Sequence, residues 1–291
     1  MTPWLPNRSE DDTLVVMTTV MNASDLRFFP SADGDLAYLD TGSGDLVVLV
    51  HSGFVDHRLW HAQIPALAAA GHRVIALDVR GHGSSANASK PFRWADDVAG
   101  LLRHLDAGPA VLVGLSMGGL VVTNTVLEYP ELVRAVVTCG AATGEFRYTD
   151  PFNRGLQAEM ARTLAAGDIE GWLEAFEQVL PGPGRTVDDV DQDSLRLIRD
   201  LARGTLSKHT PGEKDWLVPV ADTFARAADI TAPLLALNGG LEPADMLAAA
   251  ERLAATVRDG RTEVVDGVGH YPNLEKPGVF NKILLDFLRS L

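Results

Sequence analysis

The sequence predicts an α/β fold: a mostly parallel, eight-stranded sheet flanked by helices, with a helical insertion between its sixth and seventh strands. Three observations predict it. From residue 26 to the C-terminus, β-rich apolar runs alternate with segments of helical periodicity, which implies right-handed βαβ crossovers. The rhythm breaks only between residues 141 and 227, where helical patterns follow one another without a strand. At 291 residues and 46% apolar, the chain can bury a large α/β core.

The elements follow in order. Residues 1–25 show little periodicity and read as an N-terminal extension. DLRFF and DLAYLD are two strands of a hairpin turned at SADG, residues 31–34. DLVVLVHSG (45–53) is a strand ending in a glycine turn, and HRLWHAQIPALAAAG (57–71) has helical spacing with a glycine stop. RVIALD (73–78) is a buried strand, RWADDVAGLLRHLDAG (93–108) a helix, and AVLVGL (110–115) a strand. A helix through TNTVLEYP (123–130) leads to the strand AVVTCG (135–140). In the insertion, helical patterns at NRGLQAEMARTLAAG, DIEGWLEAFEQVL and DQDSLRLIRDLARGTL are separated by PGPGR and KHTPGEK. The strands PLLALN (233–238) and TEVVDG (262–267) resume the alternation, and PGVFNKILLDFLRSL (277–291) closes it as a helix. The division is therefore a core of 26–140 and 228–291, with 141–227 lying over the strand ends, where open parallel sheets bind ligands.

Composition narrows the partners. A formal net charge of −14 argues against a phosphate-binding surface, and so against nucleic acid. The single cysteine, Cys139, permits no intrachain disulfide and reads as a small buried strand residue. The opening MTPWLPNRSEDD is polar and acidic where a secretion signal is basic and then apolar. No run nears the roughly 18–20 apolar residues of a membrane span. The expectation is a cytoplasmic protein with a small-molecule substrate and no membrane partner; a homodimer is compatible with it.

The strongest local signal is GLSMGG, residues 114–119, between a strand and a helix. Gly114 and Gly118 flank Ser116 at the G-x-S-x-G spacing. A strand that turns sharply into a helix exposes the serine Oγ and sets it at a helix N-terminus, whose N–H groups favour developing negative charge. A serine alone is a weak nucleophile and needs a base. Of the eight histidines, only His270, in GVGHYPN, lies between the last strand and the last helix, at the same strand-end edge as Ser116. His51 and His82 also lie in strand-end loops, but upstream of the serine. His57 and His61 are four apart, yet HRLWH lacks the glutamate of a zinc-protease helix and reads as a polar helix face. DDVDQDS (188–194) lacks the glycine of a calcium loop and reads as a solvated loop with a helix N-cap.

With these residues in hand, the chain resembles the α/β-hydrolase fold superfamily from about residue 26 to its end, apart from the insertion. HSGF (51–54) resembles the family's His-Gly oxyanion loop, DVRGHGSS (78–85) its Asp-x-Arg-Gly-x-Gly-x-Ser turn, and GVGHYPNLEKP (267–277) its histidine loop. The resemblance implies a triad in the order Ser, acid, His, which favours His270 over His51 and His82. Two departures stand out. His51-Ser52-Gly53-Phe54 replaces the usual His-Gly-Phe, so by position the first oxyanion N–H belongs to Gly53; the second belongs to Met117, directly after the nucleophile. Gly239-Gly240-Leu241-Glu242 places glutamate where relatives carry aspartate. Glu242 is the first candidate for the acid, Asp245 the second and Glu145 the third.

The resemblance implies a serine hydrolase acting through an acyl-enzyme on a carboxylic ester, lactone or thioester of a small apolar substrate. It calls for no metal or organic cofactor. Acyl transfer to a non-water acceptor (by an acyltransferase, perhydrolase or biosynthetic cyclase) and C–C bond hydrolysis are the alternatives, with a non-catalytic ligand-binding protein after them. A serine nucleophile speaks against dehalogenases and epoxide hydrolases, which use aspartate there. Phe146, Tyr148, Trp172, Phe176, Trp216 and Phe224 are candidates for the wall of an apolar pocket.

Overall fold

The computed structural model describes residues 25–145 and 147–291, so the expected N-terminal extension, except for Asp25, and Phe146 lie outside the described residues. Eight strands form one sheet: β1 (Leu26–Ser31), β2 (Gly34–Gly42), β3 (Asp45–Val50), β4 (His72–Leu77), β5 (Ala110–Leu115), β6 (Val133–Cys139), β7 (Leu234–Gly239) and β8 (Gly260–Val265). Their spatial order is β1-β2-β4-β3-β5-β6-β7-β8. β2 pairs antiparallel with both β1 and β4, and every other neighbouring pair is parallel.

The helices are α1 (Gln63–Ala69), α2 (Trp94–Leu105), α3 (Met117–Glu128), α4 (Pro151–Ala165), α5 (Ile169–Glu177), α6 (Gln192–Leu206), α7 (Ala244–Thr256), α8 (Pro272–Glu275) and α9 (Pro277–Arg289). Strand alternation decides which helices cover which face. Val47, Leu49, Val111, Val113, Val137 and Leu235 join one buried cluster with side chains of α1 and α9. Their neighbours Val48, Val50, Leu112, Val136 and Leu234 join a second, with α2, α3 and α7. Both faces of the central strands are thus buried, which is why those strands read as continuous apolar runs.

Two sequence expectations are corrected. Residues 57–71 are not one helix: a 3₁₀ turn, His57–Trp60, precedes α1. Asp56 caps the turn through Arg58 N–H, and Pro65 lacks the N–H a continuous helix would need. α3 starts at Met117, directly after Ser116, but does not extend through Pro130: it stops two residues before that proline.

Between β6 and β7 the chain forms α4, α5 and α6, N-capped by Asp150, Asp168 and Asp191 respectively. The segment contributes no named strand among the described residues, only an isolated bridge from Leu217 to Phe92. Met160, Trp172, Leu173, Phe176, Ile198 and Leu201 belong to the same buried cluster as the α1/α9 face of the sheet. The insertion therefore shares the core rather than building its own. No helix among the described residues is long and apolar enough to cross a membrane.

Candidate active site

Register brings the strand ends together. Val50 lies opposite Gly114, Leu115 opposite Cys139, and Gly239 opposite Val265. The loops that follow open onto one cavity of about 720 Å³, whose walls include Gly53, Ser116, Met117, Gly140, Glu242 and His270.

Ser116 occupies φ 55°, ψ −116° as the residue before α3. For a residue with a Cβ this conformation costs on the order of 1–3 kcal/mol. It is held by a hydrogen bond from Ser116 N–H to the Cys139 carbonyl at 2.7 Å and by Leu120 N–H on its own carbonyl at 3.2 Å. The turn also needs a bare backbone at Gly118, where a Cβ would collide with the carbonyl oxygen of Val50. Met117, the first residue of α3, carries one of the N–H groups that lack a partner within the helix.

His270 and Glu242 are buried side by side, with Nδ1 2.7 Å from Oε1. This is the imidazole's one hydrogen bond among the described residues, and it leaves Nε2 able to accept a proton. Backbone bonds zip the two loops together: Gly240 N–H donates to Val265 O and Leu241 N–H to Val268 O, both at 2.9 Å. The longer glutamate side chain therefore reaches the ring from a fixed base. Behind the pair stands Gly140, at φ 57°. A Cβ there would lie 2.6 Å from His270 Cε1 and 2.7 Å from Glu242 Oε1. Gly140 is anchored by its N–H to the buried Asn238 Oδ1 at 2.9 Å. The sequence reading missed both residues, although Gly140 ends a strand run and could have been suspected of a close approach.

The loop after β3 is fixed from two sides. Val79 N–H donates to His51 Nε2 at 3.1 Å, so the ring proton is on Nδ1, which donates to Ser52 O at 2.7 Å. Burial lowers the pKa of His51 and favours this neutral form. In a trans peptide N–H and C=O point opposite ways, so Gly53 N–H faces away from His51. The Ser52 hydroxyl meets the fully buried Tyr271 hydroxyl at 3.2 Å, tying this loop to the residue after His270. A Cβ placed on Gly53 would lie 3.7 Å from Met117 Cβ, so the residues that carry the two expected oxyanion donors are neighbours in space.

The other candidates have different occupations. Asp245 Oδ2 accepts from Thr149 N–H at 2.6 Å and Asp150 N–H at 2.8 Å, holding the entry to α4. Glu145 accepts from the backbone N–H groups of Thr223 and Phe224 and from the Thr223 hydroxyl. His57 is not on a polar helix face: it is buried, and its Nδ1 lies 2.8 Å from Asp78 Oδ1. Burial alone would lower its pKa, but the Asp78 contact outweighs it and the net shift is upward. Asp56, His57 and Asp78 offer ligand atoms within 4.8 Å of one another. Those of Asp78 already bind His57 and Ser84 N–H, and those of Asp56 bind Arg58. His82 lines the cavity, and burial with His51 beside it pushes its pKa down to about 3. Among the aromatic candidates, Tyr148, Trp172 and Phe176 line the cavity, Trp216 lines a smaller one of about 270 Å³, and Phe224 lines neither.

Together the parts offer a serine held at a helix N-terminus, an imidazole oriented by a carboxylate, and backbone N–H groups on the neighbouring Gly53 and Met117. Such a set suits nucleophilic attack on a carbonyl with stabilisation of the oxyanion. A family model described as alpha/beta hydrolase fold matches residues 45–277. The 2-(acetamidomethylene)succinate hydrolase of Mesorhizobium japonicum is 29% identical over 268 residues, covering 86% of this chain and 90% of that protein. The 3-oxoadipate enol-lactonase 2 of Acinetobacter baylyi is 27% identical over 256 residues, covering 86% and 91%. Among solved structures, a hydrolase from Pseudomonas aeruginosa superposes with a TM-score of 0.72 at 26% identity, over 92% of this chain and 99% of that one.

Proposed function

Since the chain belongs to the α/β-hydrolase fold family, and the relatives named above are hydrolases, we propose that it is a serine hydrolase working through an acyl-enzyme on an ester-like carbonyl. The observation that carries this reading is that the strained Ser116 shares one cavity with the His270–Glu242 pair.

In this reading Ser116 Oγ attacks the carbonyl carbon as its proton passes to His270 Nε2. Glu242 keeps the ring proton on Nδ1 and stabilises the imidazolium. The oxyanion forms between the N–H groups of Gly53 and Met117. Collapse breaks the bond to the leaving oxygen or sulfur, which takes the proton from His270. Water, deprotonated by the same nitrogen, then attacks the acyl-enzyme and releases the acid and Ser116. Residues 141–227 act as a cap over the core of 26–140 and 228–291, and set the substrate.

The names of both sequence relatives carry dicarboxylic acids, succinate and adipate. Here no Lys or Arg stands among the described residues that line the cavity. The substrate in this reading is therefore neutral and mostly apolar. A fluorophosphonate probe tests the reading: it should label wild-type protein but not Ser116→Ala, and a short-chain aryl ester should be turned over. Absence of label on Ser116 sinks the proposal, whereas label without turnover of any ester, thioester or lactone would indicate an acceptor other than water.

A further inference from the structure

α4 presents Phe152, Leu156, Met160 and Leu164 to the cavity, each four residues after the last. Side chains at this spacing form a continuous ridge along a helix. Twelve residues of helix at 1.5 Å each make the ridge about 18 Å long. Asp245, three residues after Glu242, holds the N–H groups of Thr149 and Asp150 at the α4 entry, so the Phe152 end is the one nearer Glu242, and Leu164 at the far end is 52% exposed. Trp172 and Phe176 of α5, stacked with centroids 5.1 Å apart, add an aromatic wall that Phe54 meets edge-on at 4.7 Å.

Among the described residues, the ionisable groups lining this space are held by partners or neutral. Glu242 is bonded to His270, His82 has its pKa lowered to about 3, and His209 is bonded to Glu213 and to the Gly81 carbonyl. A substrate carboxylate brought onto the ridge would be desolvated with no Lys or Arg among the described lining residues to pair it, which is strongly unfavourable. An alkyl chain gains favourable burial against the four apolar side chains of the ridge, beside the polar Asn153 and Gln157 of the same helix.

We propose that the substrate carries a long, uncharged apolar chain, laid along the α4 ridge from the Ser116 end of the cavity toward Leu164. With C–C bonds of about 1.5 Å in zigzag, the ridge accommodates roughly a dozen carbons. This goes beyond the small substrate expected from the sequence, and it rests on the serine-hydrolase reading for the placement of the ester.

Two neutral series test it: 4-nitrophenyl esters from acetyl to dodecanoyl, and acetate esters of alcohols of matching length. In one of them kcat/KM should rise by about a hundredfold or more with length, and a terminal carboxylate on the chain should abolish the rise. Leu156→Asp should cut the ratio of long-chain to short-chain kcat/KM at least about tenfold, in line with the cost of desolvating its charge. Leu164→Asp, at the exposed end, keeps that readout if Leu156→Asp does not fold, and should shift the optimum to shorter chains. Turnover of the acetyl esters with a flat profile in both series overturns the proposal and leaves the hydrolase reading standing. Binding is read separately: dodecan-1-ol should raise the thermal midpoint of Ser116→Ala, and sodium dodecanoate should raise it less. No shift with dodecan-1-ol also overturns the proposal; a shift in a protein that turns over no ester retains the ridge and removes the hydrolase.

Discussion

Glu242→Gln keeps the size of the side chain but offers His270 Nδ1 an amide in place of a carboxylate, so in the proposed mechanism the imidazolium loses its counter-charge. Loss of the orienting acid in a Ser-His-acid triad lowers kcat by about 10⁴, and that is the fall expected in steady-state ester hydrolysis. Asp245→Ala should instead leave kcat within a few-fold and lower stability by about 1–3 kcal/mol, because its carboxylate holds the N–H groups of Thr149 and Asp150. The opposite ranking in kinetics and thermal melts would transfer the acid's role to Asp245. The family pattern pointed to position 242 because the loop after β7 has a fixed place in the strand order. Composition and periodicity alone could not separate two carboxylates three residues apart. The error at His57 has a related cause: its spacing is helical, but its environment is set by Asp78, twenty-one positions away. Contacts of that kind leave no local periodicity.

At the scale of elements, strands and helices were legible because both sheet faces are buried and helices such as α2, α6 and α9 show one apolar stripe. The pocket wall was not: Phe152, Leu156, Met160 and Leu164 have the spacing of any core stripe, and only the docking of α4 decides that part of it faces a cavity. The segment after α5 shows how the insertion supports the site. Arg185 forms a two-pronged ion pair with Glu275, at 2.7 and 2.9 Å, while Glu275 Oε1 also accepts Gly269 N–H at 2.7 Å, one residue before His270. Arg185→Met leaves a largely buried carboxylate unpaired, and removing one partner of a buried pair costs about 3–5 kcal/mol. For a chain of this size the thermal midpoint should drop by on the order of 10 °C. A midpoint within a degree or two of wild type would show that the insertion is not tied to the histidine loop through this pair.

The pH dependence of stability belongs to the whole molecule, since every shifted group contributes to one unfolding equilibrium. Paired carboxylates such as Asp40, beside Arg73, and Glu128, beside Arg226 and Arg93, have depressed folded pKa values. Their contribution is intact above the ordinary carboxylate range and is lost only as pH falls through the folded values. The buried His82 acts earlier. With its folded pKa near 3 and an ordinary value of 6.5, the unfolded chain takes up a proton that the folded chain refuses between those limits. Acidification from about pH 6.5 therefore favours unfolding, by up to about 5 kcal/mol once pH reaches the folded value. His51 is shifted in the same direction. His57 is shifted upward, so its contribution is complete below the ordinary histidine value and is lost only as pH rises through its folded pKa. Between pH 6.5 and about 4.5 His82 and His51 should thus dominate the slope, before the depressed carboxylates titrate, with Asp97, raised by burial, acting in the opposite sense. Urea midpoints should fall steadily across that interval in wild type. His82→Asn, whose amide can still donate to the Arg80 carbonyl that Nδ1 now faces at 3.2 Å, should give a distinctly flatter profile. Profiles that stay parallel would mean that the proton uptake driving acid unfolding lies elsewhere in the chain.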